Sequence, residues 1–350
     1  MQLQENIPLA PLTTFQVGGP ARYFVHAETE NDVKEAVSYA AQHQLPLFVL
    51  GGGSNLVVSD AGWRGLVLKV AIDGIHSSSA GKIKYFQAGA GADWDTFVAE
   101  TVHENCAGVE CLSGIPGTVG GTPVQNVGAY GQEVADTISY VRVLKIANGQ
   151  IIELSNAECR FRYRSSIFNT TQRGHYIVLE VMFQLQPEGE PTIEYADLKK
   201  HFANSSEPSL QQVREAVRQI RRSKAMLIME GDEDCRSAGS FFKNPLVPAA
   251  EASRIEALSH KPVPRYAAED GLVKLSAAWL VEQAGFHKGY GSGPVGISRK
   301  HTLAIVNRGG ATARDIITLK DEIQQKVVDT WGIHLEPEPV FVGFEEGFGS

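Results

Sequence analysis

Two glycine-rich stretches carry the first chemistry this sequence offers. Gly51, Gly52 and Gly53 run into Ser54 and Asn55, and residues 114–131, GIPGTVGGTPVQNVGAYG, supply Gly117, Thr118, Gly120, Gly121, Thr122, Gln125, Asn126 and Gly128. Closely spaced glycines let backbone N–H groups converge on phosphate oxygens with no Cβ in the way. The hydroxyls and amides beside them add the side-chain hydrogen bonds that a nucleotide or an isoalloxazine ring needs. Two such loops suit a long diphosphate ligand, whereas either alone reads equally as a tight turn between strands. A dinucleotide fingerprint fits the first loop only in part. Asp73 follows Gly51-x-Gly53 after roughly 20 residues, but Leu56 replaces the third glycine and Val57 and Val58 continue as a strand. A P-loop is excluded, because no glycine loop ends in Gly-Lys-Ser or Gly-Lys-Thr. A hydrolase elbow at Gly239-Ser240 is excluded too, since Phe242 stands where the second glycine belongs.

The elements that must position these loops are legible as periodicity. Asn31 is a candidate N-cap for a helix with Val33, Ala36, Val37, Ala40 and Ala41 on one stripe. The strand LPLFVL leads into the first loop, and LVV and LVLKV follow, separated by a turn at residues 60–62. KIKYFQAGAGA reads as a strand, then comes a helix with Trp94, Phe97, Val98 and Val102 on one face. VRVLKI and IIEL flank Asn148-Gly149, a hairpin signal because both residues tolerate positive φ. After IVLEVMFQL the composition turns polar, which places a domain boundary near residues 187–209. Beyond it, helices are expected around VREAVRQIRRSK and LSAAWLVEQAG. A last one should start at Thr312, where Asp315 completes a capping box, and stop at Gly332.

Composition sets the outer bounds. The chain has 350 residues, 43% hydrophobic and 21% charged, enough for two or three packed subdomains. A net charge of -8 argues against a nucleic-acid partner or an acidic membrane surface. The N-terminus lacks a cationic start followed by an apolar core, and no stretch approaches the roughly 20 apolar residues of a bilayer span, so a cytosolic protein is expected. Cys106, Cys111, Cys159 and Cys235 form no C-x-x-C pair and have no histidine at zinc spacing, so reduced thiols and no metal are expected.

Six ordered blocks sharpen this picture. Residues 12–20 (LTTFQVGGP), VLGGGSNLVVSD, GIPGTVGGTPVQNVGAYG, CRFRYRSSIF, AGSFFKNP and LEPEPVFVG follow the order found in bacterial UDP-N-acetylenolpyruvoylglucosamine reductases, and the resemblance covers essentially the whole chain. It implies an α/β fold with an FAD-binding domain of the vanillyl-alcohol-oxidase (PCMH) type in two subdomains, residues 1–70 and 71–195, and a C-terminal α/β substrate domain, residues 205–350. It further implies FAD and NADPH as cofactors, UDP-N-acetylglucosamine enolpyruvate as substrate, and a monomer. Gly51, Gly52, Gly53, Ser54, Asn55, Gly117, Thr118, Gly120, Gly121, Asn126, Gly128 and Ala129 would contact FAD. Tyr195, in TIEYADLKKHF, resembles the substrate-covering tyrosine of the type I branch.

The catalytic positions implied by the resemblance can be matched to the chemistry. Hydride addition to the terminal carbon of an enolpyruvyl group leaves electron density on the neighbouring carbon and its carboxylate. Arg164, in Tyr163-Arg164-Ser165-Ser166, matches the family's catalytic arginine, and a permanently charged guanidinium can stabilise that density. Ser240 matches the proton donor, since a carbanionic intermediate is basic enough to accept a positioned hydroxyl proton; a helix-capping serine is the competing reading. Alignment of the ending PVFVG selects Glu338 as the third member, with Glu336 as runner-up, and Pro339 departs from the usual aliphatic residue. Tyr130, Lys224, Asn244, Lys274 and Gln283 match contacts to the sugar nucleotide, although cations at the end of the helix bearing Lys224, Arg218, Arg221 and Arg222 also complement its dipole. The acidic segment 225–236 departs from many relatives. Two alternatives stay open: an FAD-dependent oxidase or dehydrogenase of the same fold, and a non-catalytic flavin or UDP-sugar binding module.

Overall fold

The computed structural model describes residues 1–204, 207–268 and 271–344. Ser205 and Ser206, within the expected boundary and at the start of the expected third span, lie outside them. Contacts divide the chain into two compact units. The first comprises residues 1–7, 21–53 and 64–227, and the second residues 8–20, 54–63 and 228–350. This division differs from the contiguous spans read from the sequence. The segments 8–20 and 54–63 join the second unit, and the helix after the polar stretch belongs to the first.

The first unit holds two large sheets and, among the described residues, a two-stranded ribbon of Gly128–Ala129 with Gln132–Glu133. Strands Leu3–Pro8, Pro20–Ala27, Trp63–Val70 and Leu47–Leu50 lie in that order, with Leu47–Leu50 parallel to Trp63–Val70. The second sheet is antiparallel: Ile151–Ser155, Ile138–Lys145, Tyr176–Pro187, Ile83–Gly89 and Ile75–Ala80, with Cys106–Ala107 pairing at its margin. The expected hairpin forms, with Gly149 at φ 68° and Gly149 N–H donating to the Lys145 carbonyl at 2.8 Å. Helix α1 (Glu30–Gln42) buries Val33, Ala36, Val37 and Ala40. It begins two residues earlier than expected: Thr29, not Asn31, is the N-cap, in a reciprocal capping box with Asp32. Helix α2 (Trp94–His103) buries Trp94, Phe97, Val98 and Val102 against the same core. Short helices α3 (Asn156–Cys159) and α4 (Ala196–His201) precede α5 (Leu210–Ser223), which packs Val213, Ala216 and Val217 with Cys111, Tyr130 and Leu198.

In the second unit, strand Val340–Val342 runs parallel to Leu56–Val58. Leu246–Pro248, Leu272–Leu275 and Arg265–Ala267 form a three-stranded antiparallel sheet, and Val295–Ile297 pairs with Ile305–Asn307. Helices α6 (Ala249–Ser259), α7 (Ala277–Gln283) and α8 (Ala313–Trp331) cover these strands. Helix α8 has the expected Thr312–Asp315 box and the left-handed Gly332 stop. No helix among the described residues is long and apolar enough to cross a membrane.

Candidate active site

In the first unit the two glycine loops meet backbone to backbone. A Cβ on Gly52 would stand 2.4 Å from the Gly117 Cα, and one on Gly51 would stand 3.3 Å from Thr118 Oγ1. Lys69, which sequence reading missed, donates to the Gly51 carbonyl, and burial pushes its ammonium down from the usual value. The second loop is held from behind. Trp94 N–H donates to the Gly117 carbonyl at 3.2 Å, Val119 N–H to Ala92 at 2.9 Å and Gly120 N–H to Ala90 at 2.9 Å. Gly120 packs on Ala90, whereas a Cβ on Gly121 would meet nothing within 4 Å. Thr118 Oγ1 is buried with no hydrogen-bond partner among the described residues. A buried hydroxyl without a partner is costly, and a polar ligand lying over this loop would supply one. The cradle therefore fits a diphosphate nucleotide such as FAD.

Asn126 sits at φ 47° and is buried, with its side chain spent on the scaffold. Its amide donates to Glu133 Oε2 at 2.7 Å and to the Arg162 carbonyl at 3.1 Å, and its oxygen accepts from Ala135 N–H at 3.1 Å. Gly128 and Ala129 pair with Glu133 and Gln132. The Gly128 carbonyl accepts from Arg164 Nη2 at 2.8 Å, and a Cβ on Gly128 would crowd Arg164 Nη1 at 3.3 Å.

Arg164 occupies a tight turn in which Arg162 and Ser165 exchange backbone hydrogen bonds of 2.9 and 3.0 Å. Its φ of 52° is left-handed, a strained conformation for a side chain of this size. Asn169 Nδ2 donates to the Arg164 carbonyl at 3.1 Å, and the guanidinium lies 5.3 Å from the Tyr163 ring centroid. The turn is thus braced to aim one cation.

Tyr130, Tyr195 and Lys224, far apart in sequence, come together in the same unit. The tyrosine rings meet edge to face at 5.3 Å, and Tyr195 is 41% exposed. Lys224 Nζ lies 5.9 Å from the Tyr130 ring centroid and 2.6 Å from Asp197 Oδ2. Burial raises the Tyr130 hydroxyl above its ordinary pKa, opposed by the charges of Arg221 and Lys224.

In the second unit, Ser240 follows Gly239 (φ 74°) in a turn and precedes the buried Phe241 and Phe242. Helix α6 begins only at Ala249, so the helix-capping reading of Ser240 falls away. Phe242 bridges Pro337, Glu338 N–H donates to the Phe241 carbonyl at 2.8 Å, and Lys243 N–H donates to the Glu336 carbonyl at 2.9 Å. This short ladder sets Ser240 one residue from the partner of Glu338. Asn55 braces the same strand: its Nδ2 donates to the Glu338 carbonyl at 3.2 Å, and its carbonyl accepts from Val340 N–H at 2.9 Å. Glu336 is exposed and pairs with Lys243 at 2.6 Å. Despite Pro339, the strand forms from the next residue.

The remaining sugar-nucleotide positions separate. Asn244 Oδ1 accepts from Ala277 N–H at 2.9 Å at the start of α7, and Lys274 lies on the adjacent strand opposite Leu246. Gln283 lies at the other end of α7, about 10 Å along the axis, with its oxygen accepting from Lys261 Nζ at 2.7 Å. The acidic segment is tied to the turn at residues 298–301: Asp232 pairs with Lys300 at 2.5 Å, and buried Asp234 accepts from Arg299 N–H at 3.3 Å.

Comparison with known proteins agrees with a flavin nucleotide in the first unit: a family model described as FAD binding domain matches residues 21–155. The chain is an α/β flavoprotein of that FAD-binding type. A second model, UDP-N-acetylenolpyruvoylglucosamine reductase, C-terminal domain, matches residues 231–342. The UDP-N-acetylenolpyruvoylglucosamine reductase of Thermobifida fusca is 46% identical, covering 97% of each chain, and that of Streptomyces avermitilis is 43% identical over 99% of this chain and 96% of the relative. The crystal structure of the enzyme from Thermus caldophilus superposes with a TM-score of 0.67 at 25% identity, covering 98% of this chain and 99% of that one. The chain belongs to the UDP-N-acetylenolpyruvoylglucosamine reductase family.

Proposed function

We propose that this protein reduces the enolpyruvyl ether of UDP-N-acetylglucosamine to UDP-N-acetylmuramate at the expense of NADPH, a step toward peptidoglycan precursors, acting as a cytoplasmic monomer. The observation that carries the reading is family membership over nearly the full chain, together with a glycine cradle whose buried Thr118 hydroxyl awaits a polar partner. Bound FAD would supply the hydride chemistry that links NADPH to the terminal enolpyruvyl carbon. Gly51, Gly52, Gly117, Thr118 and Gly121 would line its phosphate cradle. Arg164, pre-aimed by its strained turn, stabilises negative charge on the substrate carboxylate, so little reorganisation is needed as charge develops. Ser240 donates its hydroxyl proton to the adjacent carbon, and Glu338 polarises the reacting carboxylate. Lys224, Tyr130 and Tyr195 hold the diphosphate and cover the sugar nucleotide, with Asn244, Lys274 and Gln283 as further contacts.

The test is spectroscopic. The purified protein should show a flavin spectrum that NADPH bleaches and that the enolpyruvyl sugar nucleotide restores. Ser240→Ala should bleach normally yet turn over at least about 100-fold more slowly. A colourless protein that binds no flavin would overturn the reading, and an oxidase would reoxidise in air with no split between the two half-reactions.

A further inference from the structure

Helices α2 and α5 together grip the second glycine loop through both backbone groups of one residue, Gly114. Its N–H donates to Asp95 Oδ1 at 2.6 Å, and its carbonyl accepts from Arg221 Nε at 3.0 Å. Asp95, on α2, is itself held from α5: Arg214 donates to Oδ1 at 2.6 Å and to Oδ2 at 3.1 Å, and Arg218 also pairs with it. Burial alone would raise the Asp95 carboxyl, but hydrogen bonds from Arg214 and the Gly114 N–H, with the charge of Arg218, hold it below its ordinary range. Arg221 is 8% exposed, and its Nη2 donates to the Met226 carbonyl at 2.6 Å. A buried guanidinium fixed by the Gly114 and Met226 carbonyls is an expensive device. A solvated loop would not need it.

The position of Gly114 explains the arrangement. It lies three residues before Gly117, which touches Gly52, and four before Thr118. The same helix ends in Lys224, beside Tyr130. We propose that Asp95 and Arg221 are positioning residues that hold the loop at residues 114–118 in its flavin-binding form before FAD arrives, and that they tie this loop to the helix carrying Lys224. The proposal rests on the flavin reading above. Neither residue touches FAD in this account; both act through Gly114, by removing conformations that the loop would otherwise lose on binding.

The experiment titrates apoprotein with FAD by flavin fluorescence. Asp95→Ala and Arg221→Lys should each raise the FAD Kd about tenfold, with far-UV circular dichroism unchanged. Asp95→Asn keeps an oxygen for the Gly114 N–H and should recover affinity to within about threefold of wild type, a rescue that a merely structural role for the charge would not give. Hydrogen exchange on the wild-type apoprotein gives an arm free of folding problems: residues 114–118 should already be protected without FAD. Free exchange of that segment in apoprotein, or wild-type affinity in a folded Asp95→Ala, would overturn the proposal. Failure of the wild-type protein itself to bind FAD would instead overturn the flavin reading.

Discussion

Glu336 and Glu338 stand two residues apart on one extended segment, yet their surroundings differ. Leu335, Pro337 and Pro339 are buried, so both glutamates project from the opposite face. Glu336 spends its carboxylate on an exposed pair with Lys243, worth at most about 1 kcal/mol, whereas Glu338 is half-buried with its backbone pinned between Phe241 and Asn55. A group that must polarise a reacting carboxylate needs the pinned position. Glu338→Gln should therefore lower kcat by about two to four orders of magnitude, and Glu336→Gln should leave it within about threefold. Steady-state kinetics on both variants decides the point, and the reverse pattern would reassign the catalytic glutamate.

At the scale of elements, the glycine loops divide into positions that serve the fold and positions that leave room for a ligand. Gly52 meets backbone on its open side, which cannot swing away as a side-chain tip could. Gly52→Ala should cost about 1–3 kcal/mol of stability and weaken FAD as the loops part. Gly121 faces open space at an ordinary φ. Gly121→Ala should leave the apoprotein melting temperature unchanged while weakening FAD several-fold. Differential scanning fluorimetry with flavin titration separates the two, and unaltered FAD affinity in Gly121→Ala would remove that residue from the cradle. The elements themselves were mostly legible in the sequence, because capping boxes, the Asn148-Gly149 turn and apolar stripes are local signals. Helix α1 shows the limit of such signals, since Thr29 and Asn31 are both acceptable caps and only Thr29 has Asp32 three residues on. The cradle glycines could be read as a cluster, but not their contact partners. Lys69 and Asp95 carry no motif, and Arg221 reads as a helix-end cation until its carbonyl partner, 107 residues away, is known. Asn126 and Asn55 read as candidate ligand contacts from their polarity, and the sequence does not show that their amides also donate to the Arg162 and Glu338 carbonyls.

Over the whole molecule, the buried cysteines divide between the two units: Cys106, Cys111 and Cys159 lie in the first and Cys235 in the second. The segments 8–20 and 54–63 belong with the second core although they are interleaved with the first in sequence, a long-range choice that periodicity cannot reveal. All four cysteines are buried, and none is in a disulfide. Burial raises each pKa, that of Cys159 to about 12, so the thiolate is suppressed as well as shielded. The native protein should then show no thiol reacting rapidly with a disulfide reagent at neutral pH, and all four should react once unfolded. FAD at about 100 times its Kd should stabilise the unit that holds it by about 2.7 kcal/mol. Labelled peptides resolved by mass spectrometry along a denaturant series should therefore show Cys106, Cys111 and Cys159 shifting together to higher denaturant with FAD. Rapid labelling of any of the four in the native state would contradict the burial described here, and an FAD-independent midpoint for those three would place the flavin outside the first unit.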